Sequence, residues 1–405
     1  MDNEAFLKKA FSWHYKRSSV NGPPEIAGRE FGIGAYGRKI SNRHLSFSSK
    51  KALNEYLVKE APLFISYSCA YYEKPSATPM SSKGFLGADL IYEYDADDFN
   101  DECASDHDSW VCKKCNASGR GNLKNCPDCG SAVSAEQWVC DKCLTKAKNH
   151  TLQLKKTLEK DFLITEGISI NFSGAKGYHL HVRSDAVKGL SNSARVELVD
   201  YLTTNQISLA ALGFYSEKRK FFCPKEKNAY GWSKKILEGV KDIFDRNNFT
   251  ELAVAGATNV STAKRILGEK KIVFDAIKTG FFPSVHSNSP KFWKSVVEHV
   301  IRNKALPIDR QTSVDIRKIV RVPNTLHGST GLNASLLPED KINGFDPLKD
   351  AIVFSDKPIK VKTTKIRSFS LNKKTFGPFD NEETELPMYA GIYLLARGSA
   401  SLRSQ

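Results

Sequence analysis

Seven of the nine cysteines in this 405-residue chain fall between positions 103 and 143, spaced as metal ligands are. Cys112-x2-Cys115-x10-Cys126-x2-Cys129 has the form of a zinc ribbon, in which two short knuckles turn pairs of thiolates toward one point and meet the tetrahedral demand of Zn²⁺. Gly119, Gly121, Pro127 and Gly130 supply the tight backbone. Cys103, Cys140 and Cys143 are one ligand short of a closed set, and His107, four residues after Cys103, completes it. Trp110-Val111-Cys112-Lys113-Lys114-Cys115 and Trp138-Val139-Cys140-Asp141-Lys142-Cys143 read as one knuckle duplicated, the ribbon being inserted within an outer site. Other pairings, such as exchange of Cys129 with Cys140, stay open. A closed four-ligand site has no free coordination position, so both zinc sites are expected to be structural. Cys69 and Cys223 read as buried thiols.

A second chemistry lies in Tyr92-Glu93-Tyr94-Asp95. Residues two apart on a strand share a face, so Glu93 and Asp95 project together, and Asp97 joins them if the strand continues. Adjacent carboxylates repel unless a cation lies between them, and Mg²⁺ or Mn²⁺ is the expected occupant. That pair is the minimal equipment of a metal-dependent phosphoryl or nucleotidyl transferase. The competing reading is a solvated acidic strand end, since Asp97, Asp98, Asp101 and Glu102 follow closely. Ser173-Gly174-Ala175-Lys176-Gly177-Tyr178-His179 favours the first: its glycines let backbone N–H groups approach phosphate, while a hydroxyl, an ammonium and an imidazole add donors. It lacks the Gly-Lys-Ser/Thr ending of a P-loop. His179 and His181 share a strand face, and the one nearer the turn is the expected ligand contact. Asp315 to Ser329 adds an acid that could complete a three-carboxylate cluster, with Arg321 and His327 aimed at phosphates.

The elements that must position these groups follow from periodicity. Helices are expected over Glu4–Arg17, through Leu154, Leu158 and Phe162, over Ala194–Leu202 and Trp293–Ile301, and from Pro387 to Leu395. Strands are expected at Arg43–Phe47, Pro62–Ser68, Phe85–Asp95, Ile168–Phe172, His179–Val182, Ile319–Val322 and Ala351–Phe354. The fold class is therefore α/β (α+β), a mixed sheet interrupted by a metal module and a mainly helical insert. The expected segments are a core part with the acidic strand over 1–102, the zinc module over 103–146, core with the phosphate turn over 147–189, the helical insert over 190–304 and a final core part over 305–405.

Composition narrows the partners. With 40% hydrophobic and 26% charged residues the chain is an ordinary globular protein, which excludes a disordered tail, a collagen and a disulfide miniprotein. Sixty Lys and Arg against 45 acids give +15, which favours a polyanion, because phosphate neutralisation releases counterions. No apolar run reaches the ~18–20 residues of a membrane span, and Met1-Asp2-Asn3-Glu4 begins no signal peptide. The expectation is an intracellular protein without membrane contact, in which paired cysteines bind metal rather than form disulfides.

In series, Arg29-Glu30-Phe31, Arg43-x-x-Ser46-Phe47, Leu86-Gly87 before the acidic strand, the Cys/His knuckle, Ser173-Gly-x-x-Gly-x-His179, Asp315 through His327 and Tyr389-Ala390-x-x-Tyr393-Leu394-Leu395-x-Arg397-Gly398 resemble the catalytic small subunit of the archaeal and eukaryotic-type DNA primase over nearly the whole chain. The resemblance implies the primase-polymerase core fold and template-directed synthesis of short RNA primers by two-metal nucleotidyl transfer, with DNA chain extension as a further capacity. It implies catalytic Mg²⁺ or Mn²⁺ at Glu93, Asp95 and Asp315, with Asp95 and Asp97 as the fallback register. It also implies triphosphate contacts from Ser173, Lys176, His179, Arg321 and His327, and a further nucleotide contact from Arg43. Cys103, His107, Cys140 and Cys143 resemble the family's zinc knuckle, and the inner ribbon resembles an insertion found in some members. Single-stranded DNA template, nucleoside triphosphates and a large primase subunit are the implied partners, in the cytoplasm if the protein is archaeal. Two departures stand out: the family's first Asp is Glu93 here, and a basic residue common in the family is Ala175. Rival readings are a related end-joining repair polymerase and a non-enzymatic zinc-ribbon nucleic-acid binder, which leaves the acids and the glycine turn unexplained.

Overall fold

The computed structural model describes residues 2–99 and 103–403, a mixed α/β chain of mostly short, antiparallel strands and many helices. Asp101 and Glu102 of the acidic cluster lie outside the described residues. The chain divides into two compact units, one from residues up to Val196 together with Ile308 onward, the other Glu197–Pro307.

Two four-stranded sheets organise the first unit. One has the strand order Ile319–Arg321, Phe64–Ser68, Phe31–Ala35, Arg38–Leu45; the other has Leu336–Leu337, Ile168–Phe172, Gly177–Val182, Leu90–Asp95. In the second, the acidic strand Leu90–Asp95 lies antiparallel to Gly177–Val182, with Glu93 opposite His179 and Asp95 opposite Gly177. Strand alternation does the sorting. Tyr92, Tyr94, Tyr178 and Leu180 are buried, and the helix Asp141–Phe162 packs over these two strands, its His150 stacked on Tyr94 at 5.9 Å. Glu93, Asp95, His179 and His181 take the opposite face.

A single strand over Phe85–Asp95 does not form. It breaks at Asp89 into Phe85–Ala88, paired with Ala70–Tyr72, and Leu90–Asp95. The cause is electrostatic: the buried Asp89 carboxylate accepts from Arg29 Nη2 at 2.8 Å and from the Tyr71 hydroxyl at 2.6 Å, with Arg183 Nε at 3.4 Å. Arg195 meanwhile donates to the Ala88 and Asp89 carbonyls. From Arg183 a polar chain crosses between the sheets. Its Nη2 donates to the Tyr67 hydroxyl at 2.6 Å, Tyr67 donates to His181 Nδ1 at 3.1 Å, and His181 Nε2 donates to Asn171 Oδ1 at 2.8 Å. Asn171 uses its Nδ2 on the Phe172 carbonyl, so its Oδ1 accepts from His181 Nε2. Burial drives that imidazole's pKa well below the ordinary histidine value, which leaves His181 a neutral, structural histidine. Ala351–Phe354 is not a strand: Asp346 caps the short helix Pro347–Asp350 and the Ala351 carbonyl accepts from Asn333 N.

The second unit buries Trp232, Ile236, Phe244, Phe292, Trp293 and Val296 among its helices. It also contains a three-stranded sheet, Tyr215–Glu217, Lys220–Phe222 and Phe281–Phe282, where periodicity suggested mainly helix.

Removing the Asp89 carboxylate strands Arg29 and Arg183 without their shared counter-charge. Asp89→Ala is expected to destabilise the first unit by about 3–5 kcal/mol in urea unfolding, and a change below about 1 kcal/mol would contradict this account.

Candidate active site and metal centres

Four ligands converge at each cysteine set. Ligand atoms of Cys103, His107, Cys140 and Cys143 lie within 4.8 Å of one another, as do those of Cys112, Cys115, Cys126 and Cys129. Cys112 Sγ–Cys129 Sγ and Cys115 Sγ–Cys126 Sγ are both 3.5 Å, and His107 Nε2–Cys143 Sγ is 3.7 Å. These distances are far from disulfide bonding and close to the ~3.6–3.8 Å edges of a tetrahedron with Zn–S near 2.3 Å and Zn–N near 2.05 Å. The residues therefore fit zinc, and they fall into two sets without exchange between Cys129 and Cys140. His107 Nδ1 lies 2.9 Å from Asp108 Oδ1, a carboxylate partner that presents Nε2 to the thiolates. Cys140 caps the helix Asp141–Phe162, its N–H donating to Cys143 Sγ at 3.1 Å. The knuckle is thus continuous with the helix that backs the acidic strand. Gln137, between the two sets in sequence, accepts from Lys176 Nζ at 2.8 Å, and Arg397 grips the same segment through the Gln137 carbonyl at 2.6 Å and the face of Trp138 at 4.0 Å.

The phosphate-type turn joins Ile168–Phe172 to Gly177–Val182. Ser173 Oγ accepts from the Ala175 and Gly177 amides at 3.3 and 3.1 Å, which leaves its O–H free to donate outward. Gly177 is obligatory: a Cβ there would collide with the Tyr94 carbonyl oxygen across the strand pair. Gly174 has φ +84°, and a Cβ on it would sit 2.8 Å from His327 Cβ, so the turn and the Asp315–His327 segment meet closely. Lys176 also pairs with Asp97 at 2.7 Å. The acidic strand ends at Asp95, and Asp97 belongs to the following helical turn, so strand parity does not reach it.

Glu93 faces His179 Nε2 at 3.6 Å and Lys318 Nζ at 2.7 Å. Burial alone would raise its pKa, but His179 and Lys318 outweigh that and hold it below the usual carboxylate range. Burial pulls the His179 imidazole down to about 4, against the attraction of Glu93 and with Lys318, Arg321 and Lys39 assisting. His327, buried under Phe64, is driven well below the ordinary histidine value by desolvation and by Arg321, Lys39, His179 and Lys176. Arg321 is 8% exposed, lies 5.0 Å from the Phe64 ring centre and donates to the Ile65 carbonyl at 3.3 Å. It forms no ion pair among the described residues, and its Nε and the Nδ1 of His179 are buried without hydrogen-bond partners. Burial lowers its pKa to about 10, still cationic at neutral pH.

Arg43 is already engaged: it forks onto the fully buried Glu30 at 2.9 and 3.2 Å and reaches the Arg317 carbonyl at 3.3 Å. Asp315 ends the short helix Arg310–Val314, which packs beside the acidic strand, and its Oδ1 accepts from Arg317 N at 2.8 Å. Asp309 caps the other end of that helix, its Oδ1 accepting from Gln311 N at 2.8 Å. Glu93, Asp95 and Asp315 do not close within 4.8 Å of one another, in keeping with mutual repulsion and with Glu93 held by Lys318. Lys39 and Lys318 are the neighbours that sequence reasoning missed; Lys39 belongs to no motif, and Lys318 gave no signal beyond a basic run.

Paired strand acids lie opposite a cation-bearing, glycine-lined hairpin, an arrangement with the donors and charge to receive a phosphate, and relatives sharpen that class. The family model for the DNA primase small subunit matches residues 123–337, more than half of the chain, including the Ser173–His179 turn and the Asp315–His327 segment. Proteins named DNA primase small subunit PriS are similar along the whole length: that of Methanothrix thermoacetophila is 29% identical over 98% of both chains, and that of Archaeoglobus fulgidus 29% over 100% of both. The PriS of Halorubrum lacusprofundi is 27% identical over 98% of this chain and 97% of its own. The chain belongs to the DNA primase small subunit family. It is the catalytic subunit of a DNA primase, a nucleotidyltransferase that makes RNA primers for replication.

Two predictions follow from these centres. Purified protein is expected to carry two zinc equivalents by elemental analysis, with Cys112→Ser and Cys103→Ser each losing one; loss of both from either variant would mean one shared site. The lowered pKa values of His181 and His327 set a pH dependence of folding. The unfolded chain takes up protons below about pH 6.5 that these folded imidazoles refuse. Their stabilisation is therefore complete above pH 6.5 and declines with acidification by up to ~1.4 kcal/mol per pH unit for each histidine. Urea unfolding across pH 7 to 5 reads it, and a flat profile would refute it.

Proposed function

We propose that Ser173, Lys176, His179, Arg321 and His327 receive the triphosphate of an incoming nucleotide opposite the acids of the Leu90–Asp95 strand. The observation that carries this reading is Arg321: a buried guanidinium with no counter-ion among the described residues, beside a histidine nitrogen without a partner. Burying an uncompensated charge is costly, and a bound anion offsets that cost.

Glu93 and Asp95 present oxygen ligands on one half-exposed strand face, a donor set that fits Mg²⁺ or Mn²⁺. With one acid from the Arg310–Val314 helix they would hold two divalent ions, which supply activation of the attacking hydroxyl and neutralisation of the leaving pyrophosphate. The 3′-hydroxyl of one ribonucleotide attacks the α-phosphate of the next; the new P–O bond forms as the bond to pyrophosphate breaks. No covalent enzyme intermediate is required. The chain's own groups align the triphosphate and balance its charge, Arg321 through its unbonded Nε and Ser173 through its free O–H. Arg43 braces Glu30 and the Arg317 carbonyl, and so acts on the nucleotide by positioning. Single-stranded DNA is the template on the basic surface, a large primase subunit is the partner, and the reaction belongs in the cytoplasm. No helix among the described residues is long and apolar enough to cross a membrane.

Incorporation of radiolabelled ATP on poly(dT) with Mg²⁺ or Mn²⁺ tests the reading. Asp95→Asn is expected to abolish synthesis with zinc content and melting unchanged, and full activity in that variant would overturn it. Arg321→Gln is expected to raise KM for the nucleotide by roughly tenfold to a hundredfold, the worth of a hydrogen bond to a charged group. Asp315→Asn and Asp309→Asn, made separately, identify the third acid as the one whose loss stops synthesis; activity in both would remove a third carboxylate from the site.

A further inference from the structure

The small sheet of the second unit sorts its aromatic residues by face. Phe221 and Phe282, opposite one another in register, point into the core and are 2% exposed. Their neighbours Tyr215, Phe222 and Phe281 are in register across all three strands on the other face, Tyr215 opposite Phe222 and Phe222 opposite Phe281. Tyr215 is 46% and Phe281 38% exposed, and the Tyr215 and Phe222 rings stack at 5.0 Å with planes 14° apart. Solvent-facing positions on a strand are ordinarily polar, so this row is an exception to the sorting rule.

Its surroundings are cationic. Lys218 and Arg219 form the tip of the hairpin, both with positive φ of 45° and 64°, where glycine or asparagine is the unstrained choice. The tip lies just beyond the Glu217–Lys220 pair, so its two cations border the end of the ring face. Lys220 and Lys225 add to them, and none of the four forms an ion pair among the described residues; the adjoining acids are Glu217, opposite Lys220 on the same face, and Glu226, which pairs with Lys241.

We propose that this face is a docking platform for single-stranded DNA, with bases stacked on Tyr215, Phe222 and Phe281 and the backbone drawn over Lys218, Arg219, Lys220 and Lys225. Tyr215 and Phe222 already cover one face of each other, so bases meet the remaining ring faces of the row, with Phe281 adding a ring on the third strand. Duplex bases are already stacked on each other and cannot lie on the rings, which selects the single-stranded form. Charge complementarity favours a nucleic acid over an apolar protein partner.

Fluorescence anisotropy of an end-labelled oligothymidylate with the full chain, without nucleotides or divalent ions, tests this separately from catalysis. Tyr215→Ala is expected to weaken binding by roughly fivefold to a hundredfold, while Tyr215→Phe, which keeps the ring, binds as the parent does. Lys218→Gln with Arg219→Gln is expected to flatten the slope of log affinity against log salt by about 1.4, the share of two single-strand phosphate contacts. Duplex binding is expected to be indifferent to Tyr215→Ala. Unchanged oligothymidylate affinity in a normally melting Tyr215→Ala protein would overturn the proposal. So would a loss of self-association or of large-subunit binding in that variant with DNA affinity intact, since the rings would then serve a protein contact.

Discussion

One buried carboxylate holds the first unit in its working arrangement. Asp89 receives Arg29, Tyr71 and Arg183, and Arg183 carries the chain on through Tyr67 and His181 to Asn171. Breaking the strand there lets the peptide leave one pairing and enter another, which brings Leu90–Asp95 alongside the glycine hairpin. A hydrophobic residue at 89 would allow one long strand, but Arg29 and Arg183 would then be buried without a partner. Half-satisfied buried networks cost more than apolar packing, so all their members must be present together.

The two cysteine sets, whose geometry fits zinc, are tied into the rest of the first unit. Cys140 starts the helix whose far side supports Tyr92 and Tyr94, and the segment between the sets reaches Lys176 through Gln137. Metal ligation therefore bears on the acids through the helix and on the phosphate turn through one hydrogen bond. Binding free energy at such sites is folding free energy, and here it is delivered within a few residues of the chemistry.

Positive charge around Glu93 is only partly answered, and the proposed triphosphate site rests on that surplus. Glu93 answers Lys318, while Arg321, His179 and His327 stay buried with polar atoms to spare or little neutralisation. Neutral imidazoles can accept as well as donate, so the cradle keeps a fixed positive charge from arginine and lysine and adjustable hydrogen bonding from histidine. The exposed aromatic row of the second unit is a separate feature, with stacking surface in place of buried charge.

Local pattern was enough to name the ligands, because Cys-x2-Cys spacing confines two thiolates to one turn whatever surrounds them, but their division into two sets, open in the sequence, was decided by the fold. It was also enough for the shared face of Glu93 and Asp95, because strand alternation is a covalent consequence. The hairpin around Ser173 to His179 was legible for the same reason: glycines at fixed offsets mark where another backbone must come close. What the tertiary structure alone decided are the contacts across long separations. Lys39 and Lys318 owe their place beside Glu93 and His179 to sheet assembly, and Arg43 is tied to Glu30 because that fully buried acid needs a counter-charge. Asp97 is turned to Lys176 because the strand stops two residues earlier, and Asp315 comes to the acidic strand's side of the fold only because a short helix packs there. Periodicity also missed the three-residue strands of the second unit, too short to display a period, and it saw a strand at Ala351–Phe354 where a capped turn satisfies the backbone instead. Residue type and spacing act over a few ångströms of chain, whereas charge pairing and burial depend on which distant segments fold together.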